Sequence, residues 1–184
     1  REARQACPGL PMAIELIATP QVRSRGTLCG NLCQADPASE LPAMALVMDA
    51  QFRLQSAGGT RIVSAIDYFR GPYDTARRAD EILTHVQFPA RSPGERVAIQ
   101  EVTRLRGGFP MSGVAVAFTP GSGSTLRSVR IASFGVNAVQ VRCTDAEAIL
   151  EEGGYSKGPL DAAAAALLRS IHPHSDPFAS ADYR

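Results

Sequence analysis

The chain has 184 residues, 45% hydrophobic and 20% charged, enough for one domain or two small ones around an apolar core. With 19 basic and 18 acidic residues the net charge is +1, which argues against a nonspecific nucleic-acid binder, because such a protein needs a basic face. No window approaches the ~18 consecutive apolar residues of a membrane span, and the opening REARQACPGL lacks the apolar stretch of a leader.

Leu10, Ile14, Leu16 and Ile17 recur at helical spacing, and Thr19-Pro20 stops that helix. The next stretch, Arg23 to Pro42 (RSRGTLCGNLCQADPASELP), is too irregular for a strand and too rich in breakers for a helix. At its end Ser39 predicts the cap of a short helix through about Met48, with Pro42 in the first turn, where a missing N–H costs little. Phe52 and Leu54 alternate with polar neighbours as a strand. Ala57-Gly58-Gly59-Thr60 turns the chain, and Arg61-Ile62-Val63 returns. Ser64 to Arg78 reads as a loop holding Tyr68, Phe69 and Tyr73, and Glu81 to Phe88 as a strand.

Pro89 to Gly94 (PARSPG) is the linker candidate. Beyond it Val97 to Arg104 alternates as a strand, and Arg106-Gly107-Gly108-Phe109-Pro110 breaks it. Val114 to Phe118 is a buried strand, PGSGS at 120–124 a turn, and Leu126 to Phe134 a further strand with a bulge. Three strands joined by turns predict an antiparallel meander. Thr144-Asp145-Ala146-Glu147 has the form of a capping box, opening a helix through about Glu152 that Gly153-Gly154 stops. A second helix is predicted from Pro159 to Ile171. The fold class is therefore α+β, in two units: residues 1–89, and residues 95–184 with the meander followed by helices.

The chemistry concentrates in the irregular stretch, and three readings compete for it. Cys29 and Cys33 form CxxxC, but a zinc site needs further ligands, and Cys7, Cys143, His85, His172 and His174 offer none at ligand spacing. No metal site is expected, and the four cysteines read as free thiols in a reducing cytoplasm. A catalytic cysteine lacks any local His partner, and no catalytic residue is assigned. A backbone cradle is favoured: Gly26 and Gly30 leave amides unshielded, while Asp36, Glu40 and Asn31 suit hydroxyls or a ring N–H of a nucleotide cofactor. A plain surface turn with a helix cap carries equal weight on spacing alone. The stretch has neither GxxxxGK nor GxGxxG.

The same residues resemble the FAD-binding (medium) subunit of the molybdenum hydroxylases, the carbon monoxide dehydrogenase and xanthine dehydrogenase family. Arg23 to Pro42 is similar to R-N-R-G-T-[IVL]-G-G-[NS]-L followed by A-D-P-x-x-[DE]-L-P. In order, EILTHVQFP, IQEVTRLRGGFPMSGVAVA and FGVNAVQVRCTDAEAIL resemble later family segments. The resemblance implies that residues 1–89 are the second half of a vanillyl-alcohol-oxidase-type FAD domain. It implies that residues 95–184 are the family's C-terminal domain, a three-stranded antiparallel sheet with helices. It implies FAD contacts from Thr27, Gly30 and Asn31 toward pyrophosphate and ribityl oxygens. Gln34, Asp36, Ser39 and Glu40 would line the flavin and ribityl side. Ile82, Leu83 and Phe109 would lie near the ring, and Gln100 matches a position that is Lys in some relatives.

The family's first FAD loop, A-G-G-[TH]-x-[LI], has no counterpart here. With no opening Met and a last stretch, PFASADYR, that reads as the approach to a helix, both ends are expected to be cut. Two departures stand out. Cys29 replaces a family Gly, and Gly107-Gly108-Phe109-Pro110 replaces Gly-Asp-[FY]-Ala. The implied role is electron transfer in the cytoplasm. It implies a hetero-oligomer in which a small subunit carries 2Fe-2S clusters and a large one molybdopterin, with no nucleic acid and no membrane span. The alternatives are a homologue without FAD that serves assembly and a flavin-free small-ligand binder.

Overall fold

The computed structural model describes residues 7–184; Arg1 to Ala6, part of the stretch read above for a leader, lie outside the described residues. Helix α1 (Gly9–Leu16) carries the apolar spacing noted above. Pro20 does not simply end it but starts a one-turn helix, α2 (Pro20–Arg23), at whose first position its missing N–H is harmless. A third short helix, α3 (Leu28–Gln34), corrects the expectation that breakers exclude helix from the irregular stretch. Thr27 supplies the missing start signal: its hydroxyl accepts the Gly30 N–H at 3.0 Å. Helix α4 (Glu40–Val47) then has every residue buried. Ser39 stands at its N-cap, yet no side-chain cap bond forms, because the Ser39 hydroxyl donates to Asn31 instead.

Strands β1 (Gln51–Ser56) and β2 (Gly59–Ser64) form the expected hairpin, and β5 (Ile82–Gln87) pairs on the other side of β1. The predicted loop between them is partly ordered. It holds α5 (Ala65–Tyr68) and the small pair β3 (Phe69–Gly71) and β4 (Asp74–Thr75). Packing, not periodicity, orders it: Phe52, Tyr68 and Phe69 meet edge to face with centroids 4.5 to 5.8 Å apart.

A second antiparallel sheet has the order β6 (Arg96–Val102), β7 (Ser112–Pro120), β8 (Leu126–Phe134), β9 (Val141–Arg142). The short β9 adds a fourth strand to the expected meander. The bulge expected in β8 is present, with Ser128 at φ 51° and a register shift opposite Ala117 to Thr119. Residues alternate across β7. Ala115 and Ala117 join the core built on α4, while Val114, Val116 and Phe118 pack under α6 (Thr144–Gly153) and α7 (Lys157–Ser170). Small residues on one face let α4 lie close, and large ones on the other fill the space under the helices. Because α4 packs on β7, β8 and α1 together, one core joins the two halves of the chain.

The capping-box reading needs correction. Thr144 is the first helical residue and Cys143 stands at the cap, with no side-chain bond there. Glu147 is drawn away by stronger partners. It takes Arg142 through Nε at 2.6 Å and Nη2 at 2.9 Å, and accepts the Ile131 N–H at 2.7 Å. Likewise α7 begins at Lys157, two residues before Pro159, and ends at Ser170. Asp49 adds a bridge between halves, pairing with Arg130 at 2.6 Å and Arg142 at 3.1 Å, while Glu95 also pairs with Arg130.

Candidate functional site

The irregular stretch folds into a rim around a recess of about 180 Å³. Its lining includes Asn31 and Gln34 of α3, Asp36, Ala38 and Ser39 of the following loop, and Glu40 opening α4. The opposite wall comes from Ile17 and Ala18 and from Gly107 to Pro110. Six residues named from sequence thus converge: Asn31, Gln34, Asp36, Ser39, Glu40 and Phe109.

Local geometry explains the shape. Ala35 ends α3 in the left-handed region at φ 50° and turns the chain. The Asp36 carboxylate accepts the Ala38 N–H at 2.9 Å, closing an Asx turn. Gln140, 5% exposed and far along the chain, donates to the carbonyls of Asp36 at 2.8 Å and Ser39 at 3.2 Å. Gly135 donates to the Pro37 carbonyl at 2.9 Å. The C-terminal half therefore pins the loop that the N-terminal half presents. The opposite wall is equally fixed. Gly107 has φ +74°, and a Cβ there would lie 2.4 Å from the Ala18 carbonyl oxygen, so only glycine fits. Arg23 grips the carbonyls of Ile17 and Ala18 at 2.6 and 2.9 Å.

Thr27 and Gly30 lie at the start of α3, outside the recess. The Gly30 amide, expected to be open to a ligand, is already taken by Thr27. A Cβ on Gly30 would sit 2.8 Å from the Thr27 hydroxyl, so this glycine serves the cap. Ile82 and Leu83 alternate across β5: Leu83 is buried in the core and Ile82 is 69% exposed, and neither lines the recess. Gln100 lines other cavities. Phe109 is 80% exposed and stands between the recess and a wider cavity of about 610 Å³. That cavity is also lined by Tyr73, Phe178, Arg104 and His174.

Sequence reasoning did not assign site roles to Gln140, Tyr73 and Gly107. Tyr73 had a visible cue in its place among turn residues; its N–H donates to the Ala35 carbonyl at 3.0 Å. Gln140 had none, because its role arises only when β8 and β9 approach the loop.

The electrostatics of the recess are acidic. Burial first, then Glu101 and Asp36, push the Glu40 carboxyl up to about 7 against the pull of its own backbone N–H. Burial likewise raises the Cys29 thiol, with Cys33 adding to the effect, as suits an unreactive packing thiol. Among the described residues no group of three or more His, Cys, Asp or Glu could hold a metal ion, and no helix is long and apolar enough to cross a membrane.

The fold is a mixed α+β one with a pinned, acceptor-rich recess at the join of its halves, and comparison with known proteins specifies the class. Residues 1–91 match the family described as FAD binding domain in molybdopterin dehydrogenase. Residues 98–184 match the CO dehydrogenase flavoprotein C-terminal domain. The chain is 37% identical over 177 residues to the nicotine 6-hydroxylase medium subunit of Paenarthrobacter nicotinovorans, covering 96% of this chain and 62% of that protein. It is 32% identical over 177 residues to the carbon monoxide dehydrogenase medium chain of Hydrogenophaga pseudoflava, covering 96% and 61%. The solved carbon monoxide dehydrogenase from Hydrogenophaga pseudoflava that lacks the Mo-pyranopterin moiety of its cofactor superposes with a TM-score of 0.94 at 34% identity, over 98% of this chain and 63% of that one. The chain belongs to the family of FAD-binding medium subunits of carbon monoxide and xanthine dehydrogenase type. It spans less than two thirds of the length of these relatives.

Proposed function

We propose that this chain is part of a FAD-binding electron-transfer subunit of a molybdenum hydroxylase. In this reading residues 1–89 are the second half of a vanillyl-alcohol-oxidase-type FAD domain and residues 95–184 the C-terminal domain. The observation that carries it is the recess that gathers Gln34, Asp36, Ser39 and Glu40, which the resemblance assigns to the flavin and ribityl side, together with Asn31, which it assigns to the pyrophosphate and ribityl oxygens. The donor set fits. Asn31 and Gln34 can donate and accept, and Asp36 and Glu40 offer acceptor oxygens for ribityl hydroxyls or a ring N–H. The volume, about 180 Å³, suits one portion of a dinucleotide.

When bound, FAD supplies the redox couple between 2Fe-2S clusters of a small subunit and an external acceptor, downstream of a molybdopterin large subunit. The residues of this chain bind, orient and exclude water, and no acid–base group is required of them. Asp36 and Ser39 are held by Gln140, so their positions are set before a ligand arrives. Phe109 covers one side of the recess, and the wider cavity beyond it gives an acceptor a way in. Of the two β5 residues, Ile82 is the one exposed enough to meet a ring.

A second reading, a homologue that serves assembly without FAD, is favoured by Pro110 in place of the family's Ala and by the Gly30 amide already engaged in the cap. The visible spectrum of the purified full-length protein separates them. Flavin absorbance, or saturable uptake of added FAD, supports the first. Absence of both, with the partner subunits still captured, supports the second.

A further inference from the structure

The turn between β3 and β4 is strained. Gly71 pairs with Asp74 across it, so Pro72 and Tyr73 are its central residues. Tyr73 has φ 58°, and the proline before it cannot take a positive φ. That is the pattern of a type II turn, whose third position ordinarily falls to Gly or Asn. A bulky aromatic there is an outlier, and such outliers cluster where a ligand is met. Core packing does not explain it, because Tyr73 is 62% exposed. Its N–H donates to the Ala35 carbonyl at 3.0 Å, and its hydroxyl reaches the Asp36 carboxylate at 3.5 Å. The strained turn is thus tied to the loop that shapes the recess.

Tyr73 lines the cavity of about 610 Å³, a size that suits a small molecule. Two more exposed rings, Phe109 and Phe178, border it. None of the three touches another: the ring contacts among the described residues all lie in the Phe52, Tyr68 and Phe69 cluster. Each is nevertheless held at its backbone. Asp176 accepts the Phe178 N–H at 2.8 Å, and Arg104 donates to the Phe178 carbonyl. Phe109 follows the Gly107 turn that fits against Ala18. The charges of the cavity are largely engaged. Arg184 donates to the Met111 and Gly135 carbonyls and to Asp176, and its Nε is buried. His174 stands 3.7 Å from the same Asp176 carboxylate. Asp36 lines the cavity and is in no ion pair among the described residues. A phosphate-bearing ligand would find one partly engaged arginine, Arg104, and a carboxyl without a counter-ion. An uncharged ring finds aromatic faces.

We propose that Tyr73 is a ligand-contacting residue, which forms with Phe109 and Phe178 a site for an uncharged planar ring in the wide cavity. The turn holds the Tyr73 ring at the cavity wall before a ligand arrives, so less order is lost on binding. In the electron-transfer reading this planar ring belongs to the external acceptor. That assignment rests on the FAD reading; the site itself does not.

Calorimetric titrations of the full-length protein, with and without FAD, test this. Duroquinone serves as the uncharged planar probe and NAD as the phosphate-bearing one. The wild type should bind duroquinone saturably, and more tightly than NAD. Tyr73→Phe, which keeps the ring, should bind duroquinone as the wild type does. Tyr73→Gly should lose about tenfold in affinity, the worth of one ring contact. Its melting temperature should stay the same or rise, because glycine takes this φ without strain. No saturable duroquinone binding, tighter binding of NAD, or unchanged affinity in Tyr73→Gly overturns the proposal. A Tyr73→Gly protein that melts below the wild type does so as well, since Tyr73 would then serve the fold. Displacement of duroquinone by FAD also overturns it, because the cavity would then belong to the flavin. If duroquinone binds as expected and FAD does not bind, the FAD reading fails and the ring site stands.

Discussion

Glu40 and Glu147 make an instructive pair. Each lies in the first turn of a helix, and they are 5% and 8% exposed. Glu147 is fully engaged, by two nitrogens of Arg142 and by the Ile131 amide. Burial works against the Arg142 charge, but Glu147 and Asp49 outweigh it and hold the guanidinium above its usual range. Glu40 has another carboxyl for a neighbour. Equal burial therefore carries opposite meanings. The C-terminal corner satisfies its charges internally, as a structural joint does. The recess is lined instead by the carboxyls of Asp36 and Glu40, neither of which is in an ion pair among the described residues, as the proposed binding role requires.

The largest predicted effect breaks the structural member of the pair. Glu147→Ala leaves Arg142 buried without its partner and the Ile131 amide unpaired, which should destabilise the fold by about 3–5 kcal/mol in urea titrations. Glu40→Gln should be nearly neutral, or stabilising by up to about 1 kcal/mol above neutral pH, because it removes repulsion and leaves no partnered cation behind. If the two substitutions cost the same, the contrast between joint and site is wrong.

Next in size is Gly107→Ala. The positive φ and the 2.4 Å approach to the Ala18 carbonyl force the loop away from the segment that follows α1, at about 1–3 kcal/mol. The same displacement moves Phe109, so FAD affinity should fall together with stability. A variant that loses stability but binds normally would remove the Gly107 loop from the site.

The pH dependence offers a third way to divide the regions. Glu81 is tied to Arg61 at 2.6 and 2.8 Å, and Arg61 with the Arg78 backbone N–H holds its carboxyl below the usual value of 4.5. With the folded value depressed, its stabilising contribution is present above the unfolded value and is lost as pH falls toward the folded one. Glu40 has the opposite sign: its value rises from 4.5 to about 7, so the folded state binds the extra proton and stability falls as pH rises through that window. Thermal melts should show Glu81→Gln flattening the acid limb and Glu40→Gln flattening the limb between those two values.

Parts of this arrangement were legible in the sequence because they are local. The β1–β2 hairpin follows from a turn between two alternating runs, and the bulged β8 from its broken alternation. Of the six residues named from sequence that line the recess, five stand in one stretch, Asn31 to Glu40, and the sixth, Phe109, comes from a later segment of the same resemblance. Other features were not, and tertiary approach is the common cause. Gln140 reaches the Asp36 loop only after two strands dock. Glu147 leaves its helix cap because Arg142 and an unpaired strand amide offer more. The loop after β2 is ordered by three aromatic rings that no periodicity marks. Helix α3 was hidden for a different reason: counting Gly30 as a breaker overlooks that Thr27 requires a residue without a side chain there.

That last point yields the smallest prediction and the one that bears most on how α3 meets a ligand. Thr27→Ala removes the cap of a short helix and should cost about 1 kcal/mol, while Thr27→Ser should restore most of it. The same change releases the Gly30 amide. If the ligand needs that amide, Thr27→Ala should bind FAD as well as the wild type or better despite the weaker helix, because the cap no longer competes. If the Thr27 hydroxyl itself meets the ligand, affinity should drop in Thr27→Ala and return in Thr27→Ser. Equal affinity in all three proteins would place the start of α3 outside the binding surface and leave the recess, with its Asn31 to Glu40 rim and the Phe109 wall, to carry this part of the chain's contribution.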